Sequence, residues 1–390
     1  MERIRFVRIA INVEQLLYRA PGGIGRYTAK LVTLLPLQFP DDEVVPFTAR
    51  HRAAEIDRAW ARAAQGSAAP PPPVVLPLPR PLLYDSWHLT RLPRLGWSSS
   101  RLARCGLVHA PSLAVPPAGR AKLVVNIHDV APLLFPETFP RRGRWFHAQG
   151  LRAARRFADV IITGTHAAAA ELTEVAAIGP DRIRVIANGV DQRLAAAGEV
   201  ADARDRHDLA GPRYVLWVGS LEPRKDVGTL VAAFARLPVA AAEGVRLVLV
   251  GPSGWLDGSL IDPEDRRRLG DRLRFLGRVA DADLAALYAG AAVFAFPSRH
   301  EGFGLPVLEA MVQGTPVVCS DIPALAEVAG GAACLVPPGD VDAWAAALGE
   351  VLTDADEVGH LQRAGRERAA SFRWHHTVEA THDIYAELAG

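Results

Sequence analysis

Short apolar runs of strand length alternate with longer stretches of helical period along most of this chain, and the alternation occurs twice. That order calls for parallel sheets covered by helices on both faces, because a parallel strand pair needs a crossover and the crossover is usually a helix. In the first half, strands are expected near 4–11, 44–47, 107–110, 123–127, 160–163 and 183–186, with helices near 24–37, 144–158 and 167–176. In the second half, strands are expected near 214–218, 245–250, 273–276, 292–295, 316–319 and 333–336, with helices near 227–237, 283–289, 306–313 and 341–352. The fold class is therefore α/β, with two doubly wound Rossmann-like domains. Strand patterning lapses between 191 and 213, which places the boundary near 205 and divides the chain into 1–205 and 206–372. Residues 70–85, PPPPVVLPLPRPLLYD, are too rich in proline for a central strand and read as an extended surface loop.

A length of 390 residues, 49% of them hydrophobic, supports two or three packed domains and excludes general disorder. The formal charge of +1 gives no global field for binding nucleic acid, so no nucleic-acid partner is expected. Cys105, Cys319 and Cys334 form no Cys-x-x-Cys pair and indicate neither a disulfide framework nor a thiolate metal site. Asn12, Glu14 and Gln15 interrupt the apolar stretch after Arg3, Arg5 and Arg8 before a signal core forms, and no run is long enough to span a membrane. A reducing cytoplasm is the expected location. Only Lys30, Lys122 and Lys225 are lysines, which singles out Lys225 in a motif.

Ligands of open parallel sheets bind beyond the carboxyl ends of the strands. Five segments follow strands there: PGGIGRY at 21–27, NIHDV at 126–130, VGSLEPRKD at 218–226, VGPSG at 250–254 and PSRHEGFGLPVLEA at 297–310. They would share one cleft if the domains oppose each other. In the last, Gly302, Phe303 and Gly304 precede a helix whose first turn holds Leu305 and Pro306, a helix start suited to an anion. Glu301 and Glu309 bracket it. Carboxylates are poor phosphate ligands but good acceptors for sugar hydroxyls, so the combination suits a sugar nucleotide. Gly219, Gly251, Gly22, Gly23 and Gly25 offer close backbone approach in the other loops.

The Glu301-x7-Glu309 spacing within HEGFGLPVLEAMVQGTPVV resembles the signature of the large family-four class of retaining, nucleotide-sugar-dependent glycosyltransferases with the two-Rossmann GT-B fold. NIHDVAPLLFPETFPRRG together with VGSLEPRKD is similar to the bacterial mannosyl- and rhamnosyltransferase branch acting in surface-polysaccharide assembly. The resemblance implies that the first domain binds a carbohydrate or lipid-linked acceptor and the second the nucleotide-sugar donor, with residues 373–390 packing back on the first. It implies that Glu309 holds the ribose, that Glu301 and His128 meet the donor sugar, and that Lys225, with Arg224 beside it, neutralises the diphosphate. Ser220 stands where many relatives place an arginine.

Asp281-Ala282-Asp283 and Asp354-Ala355-Asp356 superficially match a metal-binding aspartate pair, but read as helix caps. No cofactor and no metal are expected. No carboxylate is compelled to be a covalent nucleophile, which favours front-face attack assisted by the leaving phosphate. The basic stretch 139–159 is a candidate for peripheral contact with the inner face of the plasma membrane; the competing reading turns its aromatics inward. Other readings of the same fold are a sugar-nucleotide epimerase or a phosphorylase. A binding protein without catalysis is the alternative from another class.

Overall fold

The computed structural model describes residues 6–18, 22–64, 69–252 and 260–390. Two compact units emerge, the first comprising Met1–Gly189 with Trp374–Gly390 and the second Val190–Arg373. The boundary expected at 205 is therefore too late. Helix Ala197–Arg206 belongs to the second unit, where Arg204 donates to the Leu209 and Pro212 carbonyls and Arg206 pairs with Asp283.

The first unit holds a seven-stranded parallel sheet: β1 (Arg8–Asn12), β2 (Glu43–Arg50), β3 (Val74–Pro79), β4 (Leu107–Ala110), β5 (Lys122–Asn126), β6 (Val160–Thr163) and β7 (Ile183–Val185), in the order β3-β2-β1-β4-β5-β6-β7. The second holds β8 (Arg213–Val218), β9 (Val245–Val250), β10 (Leu273–Gly277), β11 (Val293–Phe296), β12 (Val317–Ser320) and β13 (Cys334–Val336), in the order β10-β9-β8-β11-β12-β13. Strand order reverses between β1 and β4 in one unit and between β8 and β11 in the other, and such switch points open ligand crevices at the carboxyl ends. The central strands read as continuous apolar runs because helices cover both faces: Ile9, Ala10, Ile11, Val215, Leu216 and Trp217 are fully buried.

One strand contradicts the sequence expectation. Residues 70–85 are not a loop throughout, since Val74–Pro79 forms β3 and Arg80–Thr90 a helix. Among the described residues β3 lies at the sheet edge and pairs with β2 alone, so the missing N–H groups of Pro77 and Pro79 need not interrupt a second ladder. Along helix Arg141–Phe157, Phe146 packs its ring on His88 and Tyr84, and Trp145 approaches His88, so those two aromatics turn inward while Phe157 stays exposed. Asp354 caps helix Ala355–Ala370, whereas Asp283 is not a cap and instead binds Arg206 and His207. Among the described residues no helix is long and apolar enough to cross a membrane.

Two histidines of the first unit are locked in by this packing. His109 on β4 bonds the Tyr385 hydroxyl of helix Trp374–Ala389 through Nδ1 and Asn126 Oδ1 through Nε2, and His88 Nε2 donates to the Leu113 carbonyl at 3.1 Å. Burial pulls both pKa values from 6.5 down to about 4. The unfolded chain then takes up protons at higher pH than the folded one, so these groups favour folding above about 6.5 and lose that contribution as pH falls towards 4. Urea midpoints are expected to drop between neutral pH and about pH 5, and a His88→Gln, His109→Gln variant to drop less.

Candidate active site

In the second unit the switch point is built from two loops. After β8, Pro223–Lys225 makes one 3-10 turn, and Asp226, at φ 47°, starts helix Val227–Ala235. After β11, residues 297–304 lead into helix Leu305–Gln313, with Gly304 at its N-cap at φ 104° and Pro306 in its first turn. Arg299 fastens one loop to the other: its N–H donates to the Arg224 carbonyl at 2.8 Å, and its Nε meets Asp226 Oδ2 at 2.8 Å.

Lys225 Nζ lies 2.5 Å from Glu301 Oε1 and Arg224 Nη1 lies 3.6 Å from Glu301 Oε2. Arg224 is itself held by Glu222 Oε2 at 3.1 Å and by the His300 carbonyl at 3.3 Å. The Lys225 and Glu301 side chains are only 12% and 10% exposed, and Lys225 stands 5.1 Å over the Phe296 ring. Burial alone would raise the pKa of Glu301; the charges of Lys225 and Arg224 together outweigh it, and the carboxylate titrates below its ordinary value. Burial lowers Lys225, and Arg224 adds to this, against the opposing pull of Glu301.

Glu309 stands in the second turn of the same helix, its Oε2 accepting from the Tyr288 hydroxyl at 3.0 Å. The Phe303 side chain packs edge-on against Phe372 at 6.0 Å; Gly302 and Gly304 are buried and Leu305 is half-buried. A Cβ on Gly304 would reach Leu325 Cδ2 at 2.5 Å. Gly219 and Gly251 serve each other first: Gly251 has φ 138°, and a Cβ there would lie 1.8 Å from the Gly219 carbonyl oxygen. Their expected donor-binding role is thus overlaid on a packing requirement at the ends of β8 and β9. Ser253 and Gly254 lie outside the described residues.

In the first unit, His128 follows β5 and is half-buried. Its Nε2 donates to the Pro111 carbonyl at 3.0 Å, and its ring meets Tyr27 edge-on at 5.7 Å. Burial pulls its pKa below the ordinary imidazole value, which Pro111 and Asp129 only partly offset. The neutral tautomer therefore presents Nδ1 as an acceptor. Asp129 Oδ1 accepts from the Ala131 N–H, bracing the loop. Gly22 and Gly23 open helix Gly22–Gln38 in exposed positions, Gly22 at φ 60°, while Gly25 is buried; Pro21 lies outside the described residues.

Sequence reasoning missed Glu222, which binds Arg224 two positions on, and Arg299 and Tyr288, whose partners Asp226 and Glu309 lie 73 and 21 positions away. It also missed Glu14, a fully buried carboxylate after β1. Glu14 accepts from Thr48 Oγ1 at 2.6 Å and the Ala49 N–H at 3.1 Å, and meets His51 Nε2 at 2.7 Å. Only its interruption of an apolar run marked it. The described residues hold no group of three or more His, Cys, Asp or Glu placed to bind a metal ion.

Two doubly wound units, one carrying an ion-paired lysine and glutamate at a helix start on its switch point, define a GT-B glycosyltransferase architecture. The first unit matches the model for Glycosyltransferase Family 4 over residues 21–194, and the second matches Glycosyl transferases group 1 over 212–354. O-antigen chain mannosyltransferase B of Escherichia coli is 31% identical over 371 residues, covering 94% of this chain and 96% of that protein. Serotype-specific mannosyltransferase WbdA of Escherichia coli is 32% identical over 276 residues, 68% of this chain, which spans only 34% of WbdA. Among solved structures, Anabaena HepE in complex with UDP and glucose superposes with a TM-score of 0.72 at 20% identity, over 98% of this chain and 100% of that one. Sucrose-phosphate synthase from Thermosynechococcus elongatus gives 0.71 at 24% identity, over 98% and 99%. The chain belongs to the family-four glycosyltransferases and is a nucleotide-sugar glycosyltransferase of the GT-B fold.

Proposed function

We propose that this enzyme moves a mannose-like hexose, with retention of configuration, from a nucleoside diphosphate sugar to a carbohydrate or lipid-linked acceptor in surface-polysaccharide assembly. The names of the Escherichia coli relatives support the sugar and the setting. The observation that carries the reading is the meeting of Lys225 and Arg224 with Glu301 ahead of helix Leu305–Gln313. A diphosphate entering there exchanges with Glu301 for the two cations and meets the positive end of the helix.

Glu301, released from Lys225, accepts hydroxyls of the donor sugar, while Glu309, steadied by Tyr288, accepts those of the ribose. Lys225 and Arg224 stabilise the charge that grows on the departing phosphate, so the reading needs no metal and no other cofactor. His128 contributes from the first unit with an acceptor nitrogen in a fixed ring. The leaving phosphate helps take the proton of the acceptor hydroxyl on the same face, which accounts for retention without a covalent nucleophile.

The test is a thermal-shift screen of GDP-, UDP- and dTDP-sugars, followed by transfer with the stabilising donor. A ligand at a hundred times its Kd adds about 2.7 kcal/mol of stability, a shift of several degrees. A nucleotide-linked mannose is expected to give the largest shift and an α-linked product by NMR. Stabilisation by UDP-glucose alone, or a product of inverted configuration, contradicts the reading.

A further inference from the structure

His109 lies two positions before Pro111, whose carbonyl takes the His128 Nε2–H, and it bonds Asn126, which lies two positions before His128 itself. It therefore stands behind both attachments of that ring. β4 and β5 pair with His109 opposite Val124, and side chains alternate along a strand, so Asn126 returns to the face that carries His109. His109 and Tyr385 are 0% exposed and Asn126 2%. The Tyr27 ring joins the same group, meeting His128 edge-on at 5.7 Å, His109 at 6.5 Å and Trp374, the first residue of the last helix, at 6.4 Å.

The protons of this chain of bonds have one order. Asn126 Oδ1 can only accept, so His109 Nε2 carries the hydrogen. Burial holds the His109 pKa at about 4 and the ring neutral, which leaves Nδ1 bare, and the Tyr385 hydroxyl donates to it. Burial, with Tyr27 close by, raises Tyr385 well above its ordinary value, so the hydroxyl keeps that proton. Tyr385 thus selects the one neutral His109 tautomer that can hold Asn126. Without this donor the His109 proton is free to move to Nδ1, and Nε2 then meets Asn126 Oδ1 with two lone pairs facing each other.

We propose that His109 and Tyr385 are positioning residues for sugar transfer, and that helix Trp374–Ala389 fixes the aim of the His128 ring through Tyr385, His109 and Asn126. Both are fully buried, so they act through that ring and touch no substrate. The proposal rests on the reading of His128 as a group that meets the donor sugar, and adds that the end of the chain sets its geometry. A purely structural role, holding the helix on the sheet, would be felt in stability alone.

The experiment compares the wild-type chain with Tyr385→Phe, which removes one hydroxyl and keeps the ring. NMR of protein carrying isotope-labelled histidine reads the ring nitrogens, and those of His128 are identified by their loss in His128→Ala. Wild-type His128 is expected to show one tautomer, with Nε2 protonated and Nδ1 bare. In folded Tyr385→Phe its two nitrogen signals are expected to move toward each other as the tautomers mix. Transfer from GDP-mannose is expected to lose about tenfold in kcat with the donor KM within about twofold, since misplacing a group at the reacting sugar costs rate more than binding. In a His128→Ala background the same substitution is expected to change kcat by less than about twofold, because the ring it aims is gone. Unchanged His128 signals in folded Tyr385→Phe, or an equal loss of kcat with and without His128, overturns the proposal. So does wild-type kcat in Tyr385→Phe when His128→Ala is impaired. Wild-type kcat in His128→Ala overturns the reading of His128, and the positioning role falls with it.

Discussion

Replacing Lys225 by Ala is expected to lower kcat for sugar transfer by about 10²–10³-fold, the usual cost of losing one preorganised group that meets developing charge. The variant also leaves Glu301 with Arg224 alone, at 3.6 Å. Removing one partner of a fully buried ion pair costs about 3–5 kcal/mol; retained exposure and the second cation bring the expected loss of stability to about 1–3 kcal/mol. Glu301→Gln keeps the shape of the site, removes the opposing charge, and is expected to cost a similar factor in kcat. The two residues touch, so their combined loss should fall well short of the product of the single losses. Additive losses in a steady-state double-mutant cycle would mean that the pair does not act as a unit.

The second large effect is structural. Gly251→Ala places a methyl group 1.8 Å from the Gly219 carbonyl oxygen in a backbone already at φ 138°, so the ends of β8 and β9 must separate. The expected cost is about 3 kcal/mol or more, read as a lowered urea midpoint. Gly22→Ala provides the contrast. Its φ is 60° but nothing lies within 4 Å of the added methyl, so only the left-handed backbone is penalised, by about 1–2 kcal/mol. Equal midpoints for the two variants would show that the contact between Gly219 and Gly251 does not govern stability.

Much of this was readable in the residues. Twelve of the thirteen strands among the described residues announce themselves as apolar runs between helical segments, because helices cover both faces of a parallel sheet. β3 was hidden because edge strands tolerate prolines that interior strands do not, and a sequence does not show which strand is at the edge. The boundary was misplaced for a related reason: helix Ala197–Arg206 looks like a polar linker until Arg206 and His207 find Asp283, 77 and 76 positions further on.

The candidate site divides in the same way. Glycine, proline and the paired glutamates mark the helix start locally, so Glu301, Glu309 and Lys225 stood out. The geometry between Lys225 and Glu301, 76 positions apart, arises only when β8 and β11 become neighbours. Arg299 and Tyr288 were silent for the same reason: an arginine in a loop and a tyrosine in a helix have many uses, and only tertiary contacts choose among them.

The central claim is that Lys225 and Arg224, paired with Glu301 until a ligand enters, form the diphosphate grip. Calorimetric titration of the wild-type enzyme and the Lys225→Ala variant with the cognate nucleoside diphosphate and its monophosphate tests it most directly. The account predicts that the variant loses at least about tenfold in affinity for the diphosphate, about 1.4 kcal/mol, and little for the monophosphate. Unchanged diphosphate affinity in a folded Lys225→Ala protein would contradict it.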